Sequence, residues 1–457
     1  MNNKLNNAAV ILLIAGYILC GVFGVFAGFG MGAPAQVAFV ILLISATLWI
    51  SEAVPLFVTS LIVLFLSKVW LIDVIRQNGT EISDSVFLAP FFSNIILLFL
   101  GGFVLSSALH KYRIDEDLAY RIISKTGHSI PKLIAGIMAV TAFLSMWLSN
   151  TATTAMMLAL CVPIAGKLPA MDRYRKAIVL AIPFAANVGG LGTPIGTPPN
   201  AIAMQYLQKA GMAPTFGMWM LLGVPAVFGM LVILWAVLMF FYRGTIKSIE
   251  IEERSIEAIY TPKALFVIAI ALLTVVGWMT GPLHGHSSGT VALIPVMALF
   301  GLGFLSVRDI RSLSWDVLLL MGGGLCLGKV ISTSGLADWL ITLLPLQDTS
   351  PYMLAVVLGT VACVMSTLMS NTATANLIMP LAMGLSVSSL SPIMIGVAFA
   401  CSLAMALPVS TPPNALAFST EEFSVKELLK PGLVGTIIGL FLTFTLGWWW
   451  WQFVGLH

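Results

Sequence analysis

The chain has 457 residues, of which 59% are hydrophobic and only 9% are charged. Soluble domains carry about 25% charged residues, so the composition indicates an all-α integral membrane protein. The formal net charge is +3, which gives no reason to expect nucleic acid as a partner. The five cysteines lack metal-ligand spacing, which favours buried, unpaired thiols.

The apolar segments are long enough to span a bilayer many times. A helix needs about 20 apolar residues to cross the hydrocarbon core, and by that criterion we predict about 11 transmembrane helices. In chain order, the predicted spans are Ala8–Met31, Gln36–Ser51, Val54–Leu71, Val86–Leu109, Lys176–Gly189, Phe216–Tyr242, Pro262–Gly281, Ser288–Leu305, Ser314–Val330, Pro392–Val409 and Gly432–Phe453.

Two further apolar stretches, residues 130–168 and 350–390, are nearly twice the length of one span. Each contains a polar string near its middle, Ser149–Thr153 in the first and Ser370–Thr374 in the second. A stretch that turns around halfway enters and leaves the membrane by the same side. We therefore predict that each of these stretches forms a re-entrant hairpin.

The polar strings belong to an internal repeat. Ser-Asn-Thr-Ala-Thr occurs at Ser149–Thr153 and returns 221 positions later, and Ser145 recurs as Ser366 at the same offset. Thr-Pro-Pro-Asn-Ala occurs at Thr197–Ala201 and returns at Thr411–Ala415, offset by 214. Duplicated polar breaks in apolar segments are typical of the substrate site of a secondary transporter.

The positive charges indicate how the segments are oriented. With a cytoplasmic N-terminus and two re-entrant hairpins, 18 of the 22 Lys and Arg residues fall on the cytoplasmic side, as the positive-inside rule expects. The four exceptions are Lys68, Arg76, Lys209 and Lys329. The same arrangement opens the first hairpin to the cytoplasm and the second to the outside, and it places the C-terminus in the periplasm. The two repeats are therefore predicted to be inverted.

Helix-breaking residues follow each hairpin. Gly189–Gly196 contains four glycines and a proline, so we predict that the helix over 176–207 is unwound at mid-depth. The matching break in the segment 392–418 is Pro408–Ser410. With the two Ser-Asn-Thr strings, these breaks produce four helix N-termini, whose partial positive charges suit an anion. The carbonyl oxygens of the unwound segments suit sodium.

The spacing of the serines at the hairpin tips also favours a cation. Ser145 and Ser149 are four residues apart, as are Ser366 and Ser370, so we expect each pair to share one helical face. The hairpin cores and unwound segments contain no Asp, Glu, Lys or Arg. Proton-coupled carriers place ionisable residues at such positions, so the sequence favours sodium over protons.

A purely structural interpretation competes with this one, because Ser and Thr in membrane helices often only satisfy backbone carbonyls. Duplication of both strings at nearly fixed offsets favours a binding site instead. The repeated glycine pairs, Gly101-Gly102 and Gly322-Gly323, indicate close helix packing. The run Trp448–Trp451 indicates a belt at the membrane interface.

Paired Ser-Asn-Thr strings, each followed by a Pro-Pro-Asn break, resemble the divalent anion/sodium symporter family of dicarboxylate and citrate carriers over essentially the whole chain. The resemblance implies a first sodium site at Ser145, Ser149, Asn150 and the carbonyl of Gly196. It implies a second sodium site at Ser366, Asn371 and the carbonyl of Ser410. The substrate contacts that it implies are Asn150, Thr151, Thr197, Asn371, Thr372, Thr411 and Pro412.

The resemblance also implies a homodimer whose transport domain moves as an elevator against a scaffold domain. The scaffold is expected at residues 1–85, 211–305 and 421–457, and the two halves of the transport domain at 86–210 and 306–420. Lipid, sodium and a small dicarboxylate are the expected partners.

We therefore expect a sodium-coupled symporter of the bacterial inner membrane that imports C4-dicarboxylates such as succinate, malate and fumarate. Alternatives on the same fold are a carrier of tricarboxylates or other oxyanions and a dicarboxylate exchanger. A sensor that binds substrate without transport is disfavoured, because the longest predicted loop, Arg243–Thr261, is too short for a signalling domain. An enzyme is disfavoured because no nucleophile–base or metal-ligand constellation is evident in the membrane core.

Overall fold

The computed structural model describes residues 2–126, 128–249, 261–343, 349–384 and 389–456. Across these ranges the chain forms helices and no β-strand, which confirms the predicted all-α class. Most of the longest predicted loop, residues 250–260, lies outside the described residues, as do residues 385–388 of the second predicted hairpin.

The helices are numbered in chain order. The first 85 residues contain α1 Asn2–Val22, α2 Ala33–Ser51, α3 Leu56–Leu66 and α4 Ile72–Gln77. Residues 86–210 contain α5 Asn94–Lys111, α6 Ile114–Lys125, α7 Ile130–Ser145, α8 Asn150–Gly166, α9 Arg173–Gly189 and α10 Pro198–Lys209. The next segment contains α11 Phe216–Phe241, α12 Pro262–Met279, α13 Gly281–His284, α14 Ser288–Val291 and α15 Leu293–Gly301. Residues 306–420 contain α16 Val307–Arg311, α17 Trp315–Thr333, α18 Leu336–Leu343, α19 Pro351–Leu368, α20 Asn371–Gly384, α21 Leu390–Ser402 and α22 Pro412–Phe418. The last helices are α23 Val425–Leu442 and α24 Trp448–Phe453.

Within the described residues, eight helical segments are long and apolar enough to cross a membrane. They are Ala33–Ser51, Leu56–Gln77, Ala89–Lys111, Phe216–Phe241, Pro262–Met279, Trp315–Thr333, Pro351–Leu368 and Val425–Phe453. The length and composition of these helices identify a multi-pass membrane protein. The number of about 11 crossings stays a prediction. Pro351–Leu368 was predicted as a hairpin arm, so helix length alone does not distinguish an arm from a crossing.

The first predicted span, Ala8–Met31, is not one continuous helix. α1 ends at Val22, and Gly24 adopts a left-handed conformation with φ of +63°. A short 3₁₀ turn follows at Val25–Phe29. Because glycine has no Cβ, it enters this region without the steric cost that other residues meet. The helix therefore ends near Gly24, although the hydrophobic pattern alone predicts that it continues to Met31.

Each repeat contains one helical hairpin, α7–α8 in the first and α19–α20 in the second. The first packs against α9 and the second against α21. α21 is buried at every residue, and α9 is buried from Ala177 to its end. Such apolar helices with no polar face are expected to be surrounded by other helices.

The two repeats exchange their short helices. α10, which follows the first break, contacts α20 and α21 of the second repeat, and α22 contacts α8 and α9 of the first. Each repeat therefore completes the packing of the other around the two breaks.

The repeated glycines serve close packing, as predicted. A Cβ added to Gly101 would lie 2.4 Å from the carbonyl oxygen of Ala292, and one on Gly323 would lie 2.0 Å from Cβ of Ser60. Glycine at these positions lets α5 approach the α14–α15 segment and lets α17 approach α3.

Candidate functional site

The tip of the first hairpin gathers three oxygen atoms. Ser145 is the last residue of α7, and its hydroxyl lies 2.6 Å from Oδ1 of Asn150 and 2.8 Å from the carbonyl oxygen of Ala186 in α9. Asn150 opens α8, and Ser149 caps that helix by accepting from the backbone N–H of Ala152 at 3.5 Å. The Ser145 side chain is fully buried.

The expectation that the paired serines share one helical face is wrong. α7 ends at Ser145, and residues 146–149 form a turn before α8 begins. In the second hairpin, Ser366 lies in α19 while Ser370 lies beyond its end at Leu368. A spacing of four residues places side chains together only within a continuous helix, and in both hairpins the helix ends first.

The tip of the second hairpin repeats the same geometry. The Ser366 hydroxyl lies 2.6 Å from Oδ1 of Asn371 and 2.9 Å from the carbonyl oxygen of Cys401 in α21. Ser366 is also fully buried. The cysteine contributes here through its backbone, while its thiol is free and buried.

Each cluster gathers a hydroxyl, an amide and a carbonyl oxygen around one serine hydrogen, which the hydroxyl donates to one neighbour at a time. These neutral oxygens are of the kind that coordinates sodium in transporters.

The asparagine of each Pro-Pro-Asn string holds the unwound segment in place. Asn200 Nδ2 donates to the carbonyl oxygens of Gly190 and Thr193, both at 2.8 Å. In the second repeat, Asn414 Nδ2 donates to the carbonyl oxygens of Met405 and Leu407, both at 2.9 Å. Unwound backbone carbonyls need such partners inside a membrane protein.

No role was predicted for Asn200 and Asn414, although both belong to the repeated string. That repetition was the signal that could have identified them. The carbonyl groups of Ala186 and Cys401 carried no signal of any kind, because every residue has a carbonyl and only packing selects which one faces a site.

Gly190 lies between the first oxygen cluster and Gly196. A Cβ added to Gly190 would lie 3.0 Å from Oδ1 of Asn150 and 3.1 Å from the carbonyl oxygen of Gly196. The Gly196 carbonyl and the Asn150 amide therefore border the same glycine. A Cβ added to Gly196 would lie 2.4 Å from the carbonyl oxygen of Gly190, so the break is too tight there for a side chain.

Ser410 lies next to the second cluster. Its hydroxyl donates to the carbonyl oxygen of Thr367 at 2.9 Å and accepts from the backbone N–H of Leu407 at 3.1 Å. Thr367 directly follows Ser366 in the chain. The Ser410 side chain thus connects the second break to the end of α19.

The two threonines of the repeated strings begin their helices as predicted. Thr411 caps α22 by accepting from the backbone N–H of Asn414 at 3.2 Å. Thr197 occupies the N-cap position of α10 in an extended conformation, with its side chain making no capping bond. In both helices the prolines fall at the first positions, where the missing N–H costs no hydrogen bond.

The predicted substrate residues fall into two groups. Asn150 and Thr151 begin α8, which packs against α22 with its Thr411 and Pro412. Asn371 and Thr372 begin α20, which packs against α10 with Thr197 before it. Thr151 and Pro412 are exposed, whereas Thr197, Thr372 and Thr411 are buried. The structure therefore joins each hairpin tip to the break of the other repeat.

Several loops that were predicted to be cytoplasmic contact one another. Lys111 pairs with Asp309 at 2.7 Å, and Ser129 forms an isolated backbone bridge with Ser248. The hydrogen bond from the Lys111 ammonium is the main reason that the pKa of Asp309 falls to about 2.

Asp172 connects two further segments that were predicted to be cytoplasmic, the start of α9 and the chain after α11. Its carboxylate accepts from the backbone N–H groups of Tyr174, Thr245 and Ile246. Burial by itself would raise the pKa of Asp172, but these hydrogen bonds outweigh it and lower the pKa. Nearby, Arg175 forms a bidentate ion pair with Glu422, and Lys176 pairs with Glu427.

A separate set of contacts involves the predicted outer loops, the start of the second hairpin and the predicted spans Val86–Leu109 and Gly432–Phe453. The Ser287 hydroxyl donates to Oδ1 of Asn94 at 3.1 Å, and the Ser391 hydroxyl donates to the carbonyl oxygen of Met212 at 3.3 Å. The ring of Tyr352, at the start of α19, lies 5.3 Å from that of Trp448.

A sequence model described as citrate transporter matches residues 46–389. The chain belongs to the citrate transporter family. Membership identifies a transporter rather than an enzyme, and it confirms the resemblance to divalent anion/sodium symporters that the repeated motifs indicated.

Named relatives align over most of the chain. The sodium-dependent dicarboxylate transporter SdcS of Staphylococcus saprophyticus subsp. saprophyticus is 34% identical, over 85% of this chain and 80% of that protein. The SdcS protein of Staphylococcus aureus strain USA300 is 32% identical, over the same shares of the two chains.

A solved structure has a similar fold. The YdaH transporter of Alcanivorax borkumensis, whose crystal structure reveals an unusual topology, superposes with a TM-score of 0.57 over 83% of this chain and 89% of that one. The two sequences are 13% identical, so this likeness concerns the fold alone.

Proposed function

We propose that the protein is a sodium-coupled symporter that imports C4-dicarboxylates such as succinate, malate and fumarate. The observation that carries the proposal is the pair of equivalent oxygen clusters around Ser145 and Ser366, built from hydroxyl, amide and carbonyl oxygens without a charged side chain. The relatives named sodium-dependent dicarboxylate transporters support the same ion and the same class of substrate.

The first sodium ion would be held by Ser145, Asn150 and the carbonyl of Gly196, with Ser149 at the same turn and the carbonyl of Ala186 as an added oxygen. The second would be held by Ser366, Asn371 and the Ser410 segment, with the carbonyl of Cys401 added. These additions follow from the distances of 2.8 and 2.9 Å to the two serine hydroxyls.

The substrate would bind against the Asn-Thr pairs at the start of α8 and α20, with help from Thr197, Thr411 and Pro412. Helix N-termini contribute about half a positive charge each, and two sodium ions would add two more charges. An unmatched charge at mid-membrane costs several kcal/mol, so a doubly charged anion suits this site better than a monocarboxylate. Opposed hairpins also suit a molecule with a carboxylate at each end.

The proposed topology has two re-entrant hairpins in inverted repeats in the bacterial inner membrane, with the N-terminus cytoplasmic and the C-terminus periplasmic. Contacts at the two faces support it. The base of the first hairpin, at Ser129, bridges to Ser248 in the predicted cytoplasmic set. The ring of Tyr352, at the base of the second hairpin, contacts that of Trp448 in the last predicted span, Gly432–Phe453, whose end is predicted to lie outside.

We also propose that the protein forms a homodimer and works by an elevator movement. In each protomer the transport domain would move against the scaffold, with the transport domain at residues 86–210 and 306–420 and the scaffold at 1–85, 211–305 and 421–457. The exchange of α10 and α22 between repeats supports the idea that the two transport halves move as one body, because neither hairpin is packed by its own repeat alone.

A carrier of tricarboxylates is the second candidate, and the citrate transporter description of the matching family favours it. Exchange of dicarboxylates on the same scaffold would use the same sites. Competition distinguishes the substrates: for the proposed function, unlabelled malate and fumarate should inhibit succinate uptake, citrate should inhibit weakly, and lactate should inhibit least.

Uptake of labelled succinate into proteoliposomes tests the coupling ion. We expect accumulation with an inward sodium gradient and none with a pH gradient in sodium-free choline buffer, because the tips carry no titratable side chain. Robust proton-driven accumulation without sodium would refute sodium coupling. Calorimetry on the purified protein adds a test of binding: equal succinate affinity in sodium and choline buffers would show that cations are not part of the anion site.

A further inference from the structure

The structural correspondence between the repeats extends beyond the residues that repeat in sequence. The carbonyl of Ala186 contacts Ser145 as that of Cys401 contacts Ser366. Asn187 therefore corresponds to Ser402, since each directly follows the carbonyl that faces its cluster. These two positions carry different side chains, although the carbonyls that precede them make matching contacts.

Asn187 connects the first repeat to the break of the second. Its Nδ2 donates to Oγ1 of Thr411 and to Oδ1 of Asn414, both at 3.1 Å, and its side chain is 1% exposed. The Nδ2 group of Asn414 is already committed to the carbonyls of Met405 and Leu407. Its Oδ1 must therefore face Asn187, which fixes the amino group of Asn187 as the donor.

Ser402 makes no corresponding connection. Its hydroxyl is buried and has no hydrogen-bond partner among the described residues, and the same is true of Oδ1 of Asn200. Asn200 is the counterpart of Asn414, and α10, which carries it, packs against α21, which carries Ser402. The shorter serine side chain leaves the first break without the bond that the second break receives.

We propose that Asn187 is a positioning residue that couples the two cation sites, an inference that rests on the proposed sodium sites. The backbone of α9 supplies the Ala186 carbonyl to the first site. The side chain of the following residue, Asn187, binds Thr411 and Asn414, and Asn414 in turn binds the carbonyls of the break that contains Ser410. Movement of the last turn of α9 on sodium binding at the first site is thereby transmitted to the second.

Coupling of this kind is reciprocal, so each ion raises the affinity for the other by the same factor. Sodium binding should therefore be cooperative, and Asn187 should carry a large part of that cooperativity. A side chain that only stabilised the fold would lower the melting temperature without changing the shape of a sodium titration.

The test is a sodium titration of the purified full-length protein, followed by the rise in melting temperature in sodium chloride with choline as the balancing ion. For Asn187→Ser we expect the Hill coefficient to fall from about two towards about one and the half-saturating sodium concentration to rise about tenfold. Ser402→Ala is the matched control at the corresponding position, and it should titrate like the wild type.

An unchanged Hill coefficient in a folded Asn187→Ser protein would overturn the inference, and so would an equal loss in Ser402→Ala. If Asn187→Ser does not fold, Ser402→Asn provides the second test, because it offers Oδ1 of Asn200 a donor. It should lower the half-saturating sodium concentration at least about threefold, and an unchanged value would count against the coupling. Absence of any sodium response in the wild type would instead refute the proposed function itself.

Discussion

The two hairpin tips are nearly identical, whereas the two breaks that follow them are built differently. At each tip a buried serine lies 2.6 Å from an asparagine oxygen and within 2.9 Å of a carbonyl of the next helix. The first break is rich in glycine, while the second carries Met405 and Ser410 and is followed by Thr411 and Asn414, which accept two bonds from Asn187. Such likeness at the tips is what the proposed cation sites would require of both repeats.

The difference between the breaks also has a steric basis. Gly190 and Gly196 approach each other so closely that a Cβ on Gly196 would lie 2.4 Å from the Gly190 carbonyl oxygen. In the second repeat, Ser410 turns its side chain to the end of α19 instead. Two chemically different segments can therefore support equivalent tips.

The largest expected effect tests the likeness of the tips. Asn150→Ala and Asn371→Ala should each abolish sodium-driven succinate uptake, because each removes the amide oxygen nearest a serine hydroxyl and an expected substrate contact. Uptake into proteoliposomes, with melting curves to establish folding, measures this. Wild-type uptake by either variant would mean that its hairpin is only structural.

The next prediction exchanges the residues that differ between the breaks. Gly196→Ser should reduce apparent sodium affinity at least about tenfold, equivalent to about 1.4 kcal/mol, because backbone atoms must move to admit the side chain. Ser410→Gly loses only its bonds with Thr367 and Leu407, so we expect a smaller decrease. Gly166→Ser, whose added Cβ meets no atom within 4 Å, is the control. Equal effects of the first two exchanges would contradict the steric account.

A third prediction compares the asparagines that hold the breaks. Asn200→Ala leaves two buried carbonyls without a side-chain donor, and Asn414→Ala leaves one buried and one half-buried carbonyl. We expect either change to cost about 2–4 kcal/mol in the free energy of unfolding. Asn414→Ala should cost about 1 kcal/mol more, because it also removes an acceptor of Asn187. Asn78→Ala, which removes an exposed side-chain bond to Val74, serves as the control. The contrast would be lost if Asn200→Ala proved the more damaging substitution.

The smallest expected effect concerns the N-terminal ends of α9 and α21, far from the carbonyls that face the two oxygen clusters. Arg175 of α9 pairs with Glu422 through two bonds, while Ser391 of α21 makes one bond to Met212. Because the ion pair is only partly buried, Arg175→Ala should lower the free energy of unfolding by about 1 kcal/mol. Ser391→Ala should lower it by about 0.5 kcal/mol. Thermal unfolding at low and high salt measures both, and only the Arg175 contribution should weaken with salt.

The sequence by itself determined the membrane class, the internal repeat, the helix starts at Asn150, Pro198, Asn371 and Pro412, and the neutral oxygen chemistry of the tips. These properties are local: composition, helix-breaking residues and N-cap chemistry act within a few positions along the chain. The first span showed the limit of this reasoning, because Gly24 ended a helix that hydrophobicity had continued to Met31.

Only the tertiary structure decided which atoms meet at the sites. It separated Ser149 from Ser145 by ending α7, and it selected the carbonyls of Ala186 and Cys401 from many equivalent ones. It also gave Asn187 a role in the second repeat that no spacing could indicate, because the residues it contacts are more than 220 positions away. Backbone carbonyls are common to all residues and distant contacts depend on packing, so neither leaves a pattern in the sequence.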